Sequence, residues 1–107
     1  VVHHFEVKAD KGGHYSWWLN AANGQLVAWA GESFASKGNA ERAAEAFKVG
    51  AAAADYELYE NKGGHWSWRA HRGGHIVAVP GESFASKSNA QRAADAVKEH
   101  AGGADGP

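Results

Sequence analysis

Gly31-Glu32-Ser33-Phe34-Ala35-Ser36-Lys37 returns letter for letter as Gly81-Glu82-Ser83-Phe84-Ala85-Ser86-Lys87. Outward from these copies the match continues. Lys11-Gly12-Gly13-His14 meets Lys62-Gly63-Gly64-His65, and Ser16 and Trp17 meet Ser67 and Trp68. One residue drops out of the second copy near Ala21; beyond it Gly24 meets Gly74, and Val27-Ala28 meets Val77-Ala78. Asn39-Ala40 and Arg42-Ala43-Ala44 meet Asn89-Ala90 and Arg92-Ala93-Ala94, and about half of the aligned positions are identical. A period of roughly fifty residues marks one supersecondary unit copied once. The length change falls at a turn, where it disturbs a core least.

The sequence has 107 residues, enough for one domain. Half of it alone sits near the lower limit for an independent core. The expectation is therefore a single domain, 1–107, in which repeats at about 2–51 and 55–101 share one core. The Gly-Gly-Ala-Asp-Gly-Pro end, 102–107, reads as a disordered tail.

Within the first repeat, Val2–Val7 alternates as a strand, and Asp10–Gly13 is a turn. His14–Asn20 and Gln25–Ala30 read as strands joined by the Asn23-Gly24 hairpin signal. Ser36 reads as a helix N-cap, followed by an apolar stripe of Ala40, Ala43, Ala44, Phe47 and Ala51. The second repeat gives strands over Tyr56–Glu60, His65–His71 and His75–Val79, then a helix capped by Ser86. Its stripe is Ala90, Ala93, Ala94, Val97 and Ala101. Such Ala-rich stripes lie close to a sheet, so the sheet must supply the volume. Tyr15, Trp17, Trp66 and Trp68 do so, and Phe34 and Phe84 close the edges.

This order of elements, with Lys-Gly-Gly before an aromatic strand, Ala-Ala-Asn-Gly-Gln-Leu-Val-Ala, Gly-Glu-Ser-Phe-Ala-Ser-Lys and an Asn-Ala-x-Arg-Ala-Ala helix, resembles the YegP-like family of small tandem-repeat proteins. The resemblance covers about Phe5 to Ala101, in both copies. It implies an α+β fold of two β-β-β-α units, forming a single antiparallel sheet with two helices on one face, the helices exchanged between the units. It implies no activity and carries no catalytic residue or cofactor. His14 and His65 depart from the residue usual after Gly-Gly in that family.

Several function classes recede. The formal charge is −1, so duplex DNA is not an expected partner. There is no Cys, which removes thiolate chemistry and Cys-type zinc sites. No apolar run approaches the roughly 20 residues of a membrane span. The start lacks a basic-then-apolar leader pattern, so a cytoplasmic protein is the expectation. His3 and His4 point to opposite faces of a strand, and no two-His helix spacing appears, so no metal is expected. The repeated loop lacks the Gly-Lys-Ser/Thr spacing of a phosphate loop, and Glu32 and Glu82 would repel an anion. No nucleophile with a paired base is legible, so no catalytic residue is assigned.

Period-two alternation defines an outer sheet face. It should carry Glu6, Lys8, His14, Ser16, Trp18, Val27 and Trp29. From the second repeat come Glu57, Tyr59, His65, Ser67, Arg69, His71, Val77 and Val79. Two helices cover one face only, which leaves Trp18, Trp29, Tyr59 and Arg69 as the candidate binding face. Aromatics beside a guanidinium suit an apolar partner surface or, less readily at this charge, single-stranded nucleic acid. The expectation is a non-catalytic binding or self-association module, as a monomer or weak homodimer, with a protein or small ligand as partner. The alternative is a small enzyme or a metal- or ligand-binding protein, its site near His14 and His65 or near the repeated loops.

Overall fold

The computed structural model describes residues 3–107; Val2, the expected start of the first strand, lies outside them. The first repeat is β1 (His4–Ala9), β2 (Tyr15–Asn20), β3 (Leu26–Trp29) and α1 (Lys37–Gly50). The second is β4 (Asp55–Glu60), β5 (Trp66–Arg72), β6 (His75–Ala78) and α2 (Lys87–His100). Each helix ends in a 3-10 turn, Ala51–Ala53 or Ala101–Gly103. The fold is α+β and duplicated, as the sequence predicts.

The expected single sheet is divided. Two three-stranded antiparallel sheets form, ordered β1-β2-β3 and β4-β5-β6. They meet edge to edge at one pair, Trp29 and Val79, whose N–H groups donate to each other's carbonyls at 2.9 and 3.0 Å. These residues are repeat equivalents, so the pair lies on the local twofold of the duplication. The ladder stops there. The next N–H after Trp29, that of Ala30, donates back to Trp17 O of its own sheet at 3.2 Å, and the equivalent position in the second repeat is Pro80. Gly31 turns the chain away at φ 78°, and a Cβ on it would sit 3.2 Å from Val79.

Nor are the helices exchanged. α1 rests on β1 and β2, and α2 on β4 and β5; from the other repeat each meets mainly the third strand and the 3-10 turn. The repeated loop explains this. Phe34 N–H donates to Tyr15 O at 2.6 Å and Tyr15 N–H to Phe34 O at 2.9 Å; Phe84 and Trp66 do the same at 2.7 Å each way. The chain is thereby pinned to the second strand of its own repeat just before the helix begins. Ser36 and Ser86 then cap the helices, each hydroxyl accepting from the backbone N–H three residues on.

The core is continuous across both repeats. Phe5, Trp17, Leu19, Ala44 and Phe47 share it with Trp68, Ala94 and Val97. Trp17 stacks on Phe47 with ring centres 5.2 Å apart. The Cα radius of gyration, 13.1 Å, is that of one globular unit of this length, about 13 Å.

The segment 102–107, expected to be disordered, is ordered over most of its length. Ala104 is buried, Asp105 N–H donates to His3 O at 2.8 Å, and Phe5 N–H donates to Asp105 O at 2.7 Å. Lys48 Nζ also donates to Gly106 O at 2.8 Å. Composition predicts no core former here, but the repeat supplies one. Ala101–Asp105 is the counterpart of Ala51–Asp55, and its start closes over the core in the same way.

Candidate functional site

The outer face is built from the strand residues opposite the helices. Trp18 pairs with Glu6 on one side and with Trp29 on the other. The two indoles lie nearly parallel, at 9°, with ring centres 6.4 Å apart. Lys8 Nζ stands 5.1 Å from the centre of the Trp18 ring and 3.0 Å from Glu6 Oε1. In the second sheet Arg69 lies over Tyr59 at 4.4 Å and donates from Nε to Glu57 Oε1 at 2.6 Å. His71 Nε2 is 3.1 Å from the same oxygen. Hydrogen bonds from Arg69, then from His71, hold the Glu57 carboxyl below its ordinary range.

Repeat equivalence reveals an exchange. Trp18 corresponds to Arg69, and Lys8 to Tyr59. On the outer face each sheet thus carries a cation over an aromatic ring, with the two partners traded between strands. Between the pairs runs the Trp29–Val79 bridge. A shallow depression of about 380 Å³ extends from Tyr59 past Ser67 to Val79 and Glu82.

The four candidate residues are therefore brought together in two pairs. None of the four is fully exposed; stacking leaves each half-buried. Other outer-face assignments need correction. Val27 and Val77 pack against the core, because the register shifts at Leu19/Asn20 and Ala70/His71 and turns the ends of the third strands inward. Ser16 and Ser67 are buried beneath the repeated loops, where Ser16 Oγ donates to Glu32 O at 2.9 Å.

The repeated loop is occupied with its own structure. Ser33 donates to Asp10 Oδ2 at 2.9 Å, and Asn61 Nδ2 donates to Ser83 Oγ at 3.2 Å. An acceptor carboxylate beside Ser33 adds to the repulsion that Glu32 offers an anion. His14 and His65 are exposed at the turns of separate sheets. Among the described residues no group of three or more His, Asp or Glu side chains is placed to hold a metal ion. No helix among them is long and apolar enough to cross a membrane.

Two clefts lie at the seams between the repeats, and strand alternation gave no sign of them. One, of about 250 Å³, opens between α1 and the β5–β6 hairpin, with Phe34, Ala43, Ala46 and Val77 in its walls. Its counterpart, about 150 Å³, opens between α2 and β3, with Phe84, Ala93, Ala96 and Val27. The signal in the sequence is the run of alanines on each helix. Small knobs leave space wherever the facing strand fails to fill it.

Comparison with known proteins agrees with this architecture. The solution NMR structure of a UPF0339 protein from Shewanella oneidensis superposes with a TM-score of 0.80 at 15% identity, covering 95% of this chain and 86% of that one. The solution NMR structure of yegP from E. coli, described as a protein of unknown function, superposes with a TM-score of 0.81 at 18% identity, over 99% of this chain and 90% of that one. No curated relative matches the chain. The model of the family described as domain of unknown function DUF1508 matches twice, over residues 10–59 and 61–105, and the chain belongs to that family.

Proposed function

We propose that this chain is a cytoplasmic, non-catalytic binding module whose outer sheet face meets an apolar protein surface, including that of a second copy. The observation that carries the reading is the paired arrangement on that face. Trp18 and Trp29 are stacked under Lys8, and Tyr59 lies under Arg69, on the side of the sheets away from both helices. Rigid aromatic rings lose little entropy on contact, and half-buried rings offer edges without a large exposed apolar area. The cations of the face already have partners, Lys8 in Glu6 and Arg69 in Glu57. A phosphate backbone would have to displace these carboxylates, which ranks single-stranded nucleic acid below protein.

Sedimentation velocity over a concentration series tests the reading. A weak, reversible dimer is expected, and Trp18→Ser/Trp29→Ser should abolish it while leaving the fold cooperative. If the chain stays monomeric, the double variant should still lose a partner recovered from its own cells. Retention of every interaction by the folded double variant would refute the reading. The alternative of a ligand site near the repeated loops gains one specific observation: Glu32 and Phe34 line the larger seam cleft. His14 and His65 gain none, since neither lines either of the two seam clefts or the depression.

A further inference from the structure

We propose that the cleft between α1 and the β5–β6 hairpin binds a small apolar carboxylate, with Arg72 receiving the acid group. The walls set the body of the ligand. Phe34 and Val77 present apolar surface, with the buried Trp17 and Phe47 behind them, and Ala43 and Ala46 leave the space between. At about 250 Å³ the cleft lies just below the usual range of ligand pockets, roughly 300–1,000 Å³, which suits a single ring with a short acid arm.

Arg72 sets the head group. Its side chain lies across the end of α1, in space that exists because residue 50 is glycine. A Cβ there would fall 1.9 Å from Nη1. Arg72 Nη1 donates to Ala46 O at 3.3 Å, which orients the guanidinium and leaves most of its five N–H donors unused. Among the described residues no carboxylate pairs with Arg72; the ion pairs there belong to Lys8, Arg69 and His71. A planar fork of donors at an apolar mouth matches a carboxylate in two-point geometry. His75 lines the same mouth and offers a further donor.

The duplication separates ligand chemistry from fold. The second cleft has the same construction from equivalent residues, yet it lacks this head-group site. Arg72 stands opposite Ala21 and Ala22, at the alignment gap, and His75 stands opposite Gln25. The position of Gly50 is taken by His100, whose ring stacks on His3 with centres 4.9 Å apart. One seam is thus closed without an arginine, so the seam itself does not require one. Glu32 is the charge that opposes the proposal. It lines the cleft, but it is exposed and its counterpart Glu82 lines the other cleft equally.

The test is titration of the intact chain with cinnamate and with its uncharged amide, followed by two-dimensional NMR. Reporters are the Trp17 indole N–H and the backbone amides of Ala43, Ala46 and Val77. Those of Ala93, Ala96 and Val27 serve as the internal control. Cinnamate should move the first set saturably, and the amide should bind about tenfold more weakly or worse, the worth of one charge-assisted hydrogen bond. Arg72→Gln should reduce the acid to the affinity of the amide. Gly50→Ala should do the same while keeping the charge, because the new Cβ evicts the guanidinium. Glu32→Gln should tighten the acid. The spectra themselves report whether each variant is folded. The proposal is overturned if acid and amide bind alike, or if Arg72→Gln binds the acid as the parent does. It is equally overturned if Glu32→Gln weakens binding, if the control reporters move as far, or if nothing shifts by about 10 mM, a standard affinity below about 3 kcal/mol.

Discussion

The two repeats bury the same tryptophan in different company. Trp17 stacks on Phe47 and meets Phe5 edge-on at 5.5 Å. Trp68 has Val97 where Trp17 has Phe47, and its ring neighbour is Tyr56 at 5.7 Å, tilted by 52°. Tyr56 in turn donates its hydroxyl to Ala51 O at 2.9 Å, and burial pushes its pKa up to about 12. Trp68 Nε1 is buried with no acceptor. Positions that are identical in both repeats therefore fix the frame: the tryptophan, the capping serines, the loop phenylalanines. Positions that differ show where the frame tolerates change, and most of the candidate chemistry sits at those.

The largest effect should come from removing the comparison altogether. Fragments 1–54 and 55–107 each lose the opposite side of a seam. Gly31 lies against Val79, a Cβ on Gly81 would come within 2.8 Å of Leu26, and Asp105 closes on β1. Neither fragment should melt cooperatively as a monomer by circular dichroism, since about fifty residues bury too little surface. A fragment that folds only as a homodimer would rebuild both seams from one repeat and would strengthen the shared-core account. A monomeric, cooperatively folded fragment would end it.

Within the intact chain, Trp17→Ala should destabilise by about 3–5 kcal/mol in urea unfolding, the usual range for emptying a buried aromatic site. Trp68→Ala should lie at the lower end of that range. It loses no parallel aromatic stack, and it removes an indole N–H that folding leaves unpaired. Trp68→Phe should accordingly cost less than Trp17→Phe. The reverse order would mean that the stack on Phe47 contributes little, or that Trp68 has an acceptor in solution.

Much of this division was legible in the sequence. Alternation assigns Trp17 and Trp18 to opposite faces, and their burial agrees: Trp17 is 1% exposed, whereas Trp18 is half-buried. Ser36 and Ser86 announce the helix starts because a hydroxyl there meets an otherwise unpaired amide. Register across non-adjacent strands was not legible. Nothing in Leu26–Trp29 or in 75–79 says that the two segments meet at the single pair Trp29–Val79, since that depends on two bulges and on where Gly31 turns the chain. The clefts were illegible for the same reason, being gaps between segments far apart in the chain. The ordered end at Ala104 and Asp105 was concealed by composition, although the repeat alignment extended one turn further would have exposed it. Of the candidate face, the residues were legible, but the trading of cation and ring between strands becomes visible only when Lys8 is set against Tyr59 and Trp18 against Arg69.

The outer face offers a smaller test. Trp18→Ala should cost about 1–2 kcal/mol, well under Trp17→Ala, because the ring is half-exposed and loses one indole stack and one cation contact. Arg69→Ala, its equivalent, should cost less still, since its partners Glu57 and Tyr59 stay solvated once it is gone. Equal losses at Trp17 and Trp18 by urea unfolding would show that both faces of the first sheet are covered in solution.

The smallest expected difference lies at one pair of turns. Asp10 Oδ1 accepts from Gly12 N–H at 2.9 Å and His14 N–H at 3.0 Å; Asn61 Oδ1 accepts from Gly63 and His65 at 3.0 and 3.1 Å. The turns are alike, but only the first can titrate. The Ser33 hydroxyl, with the turn amides behind it, holds the Asp10 carboxyl below the ordinary aspartate value. The unfolded chain therefore binds this proton more readily than the folded one. The stabilisation is present above the ordinary value and is lost as pH falls through the depressed one. Asp10→Asn copies the second turn, with its Nδ2 able to donate to Ser33 as Asn61 donates to Ser83. At neutral pH the two proteins should melt within a few degrees of each other. As pH falls from about 5 toward 2, the parent should lose stability relative to Asp10→Asn, because only the parent has this carboxylate to protonate. The difference is read from paired thermal melts across that range, with the Glu57 contribution common to both and cancelling. Parallel curves would mean that the Ser33–Asp10 contact does not persist in solution, and that the two turns are held by their backbone geometry alone.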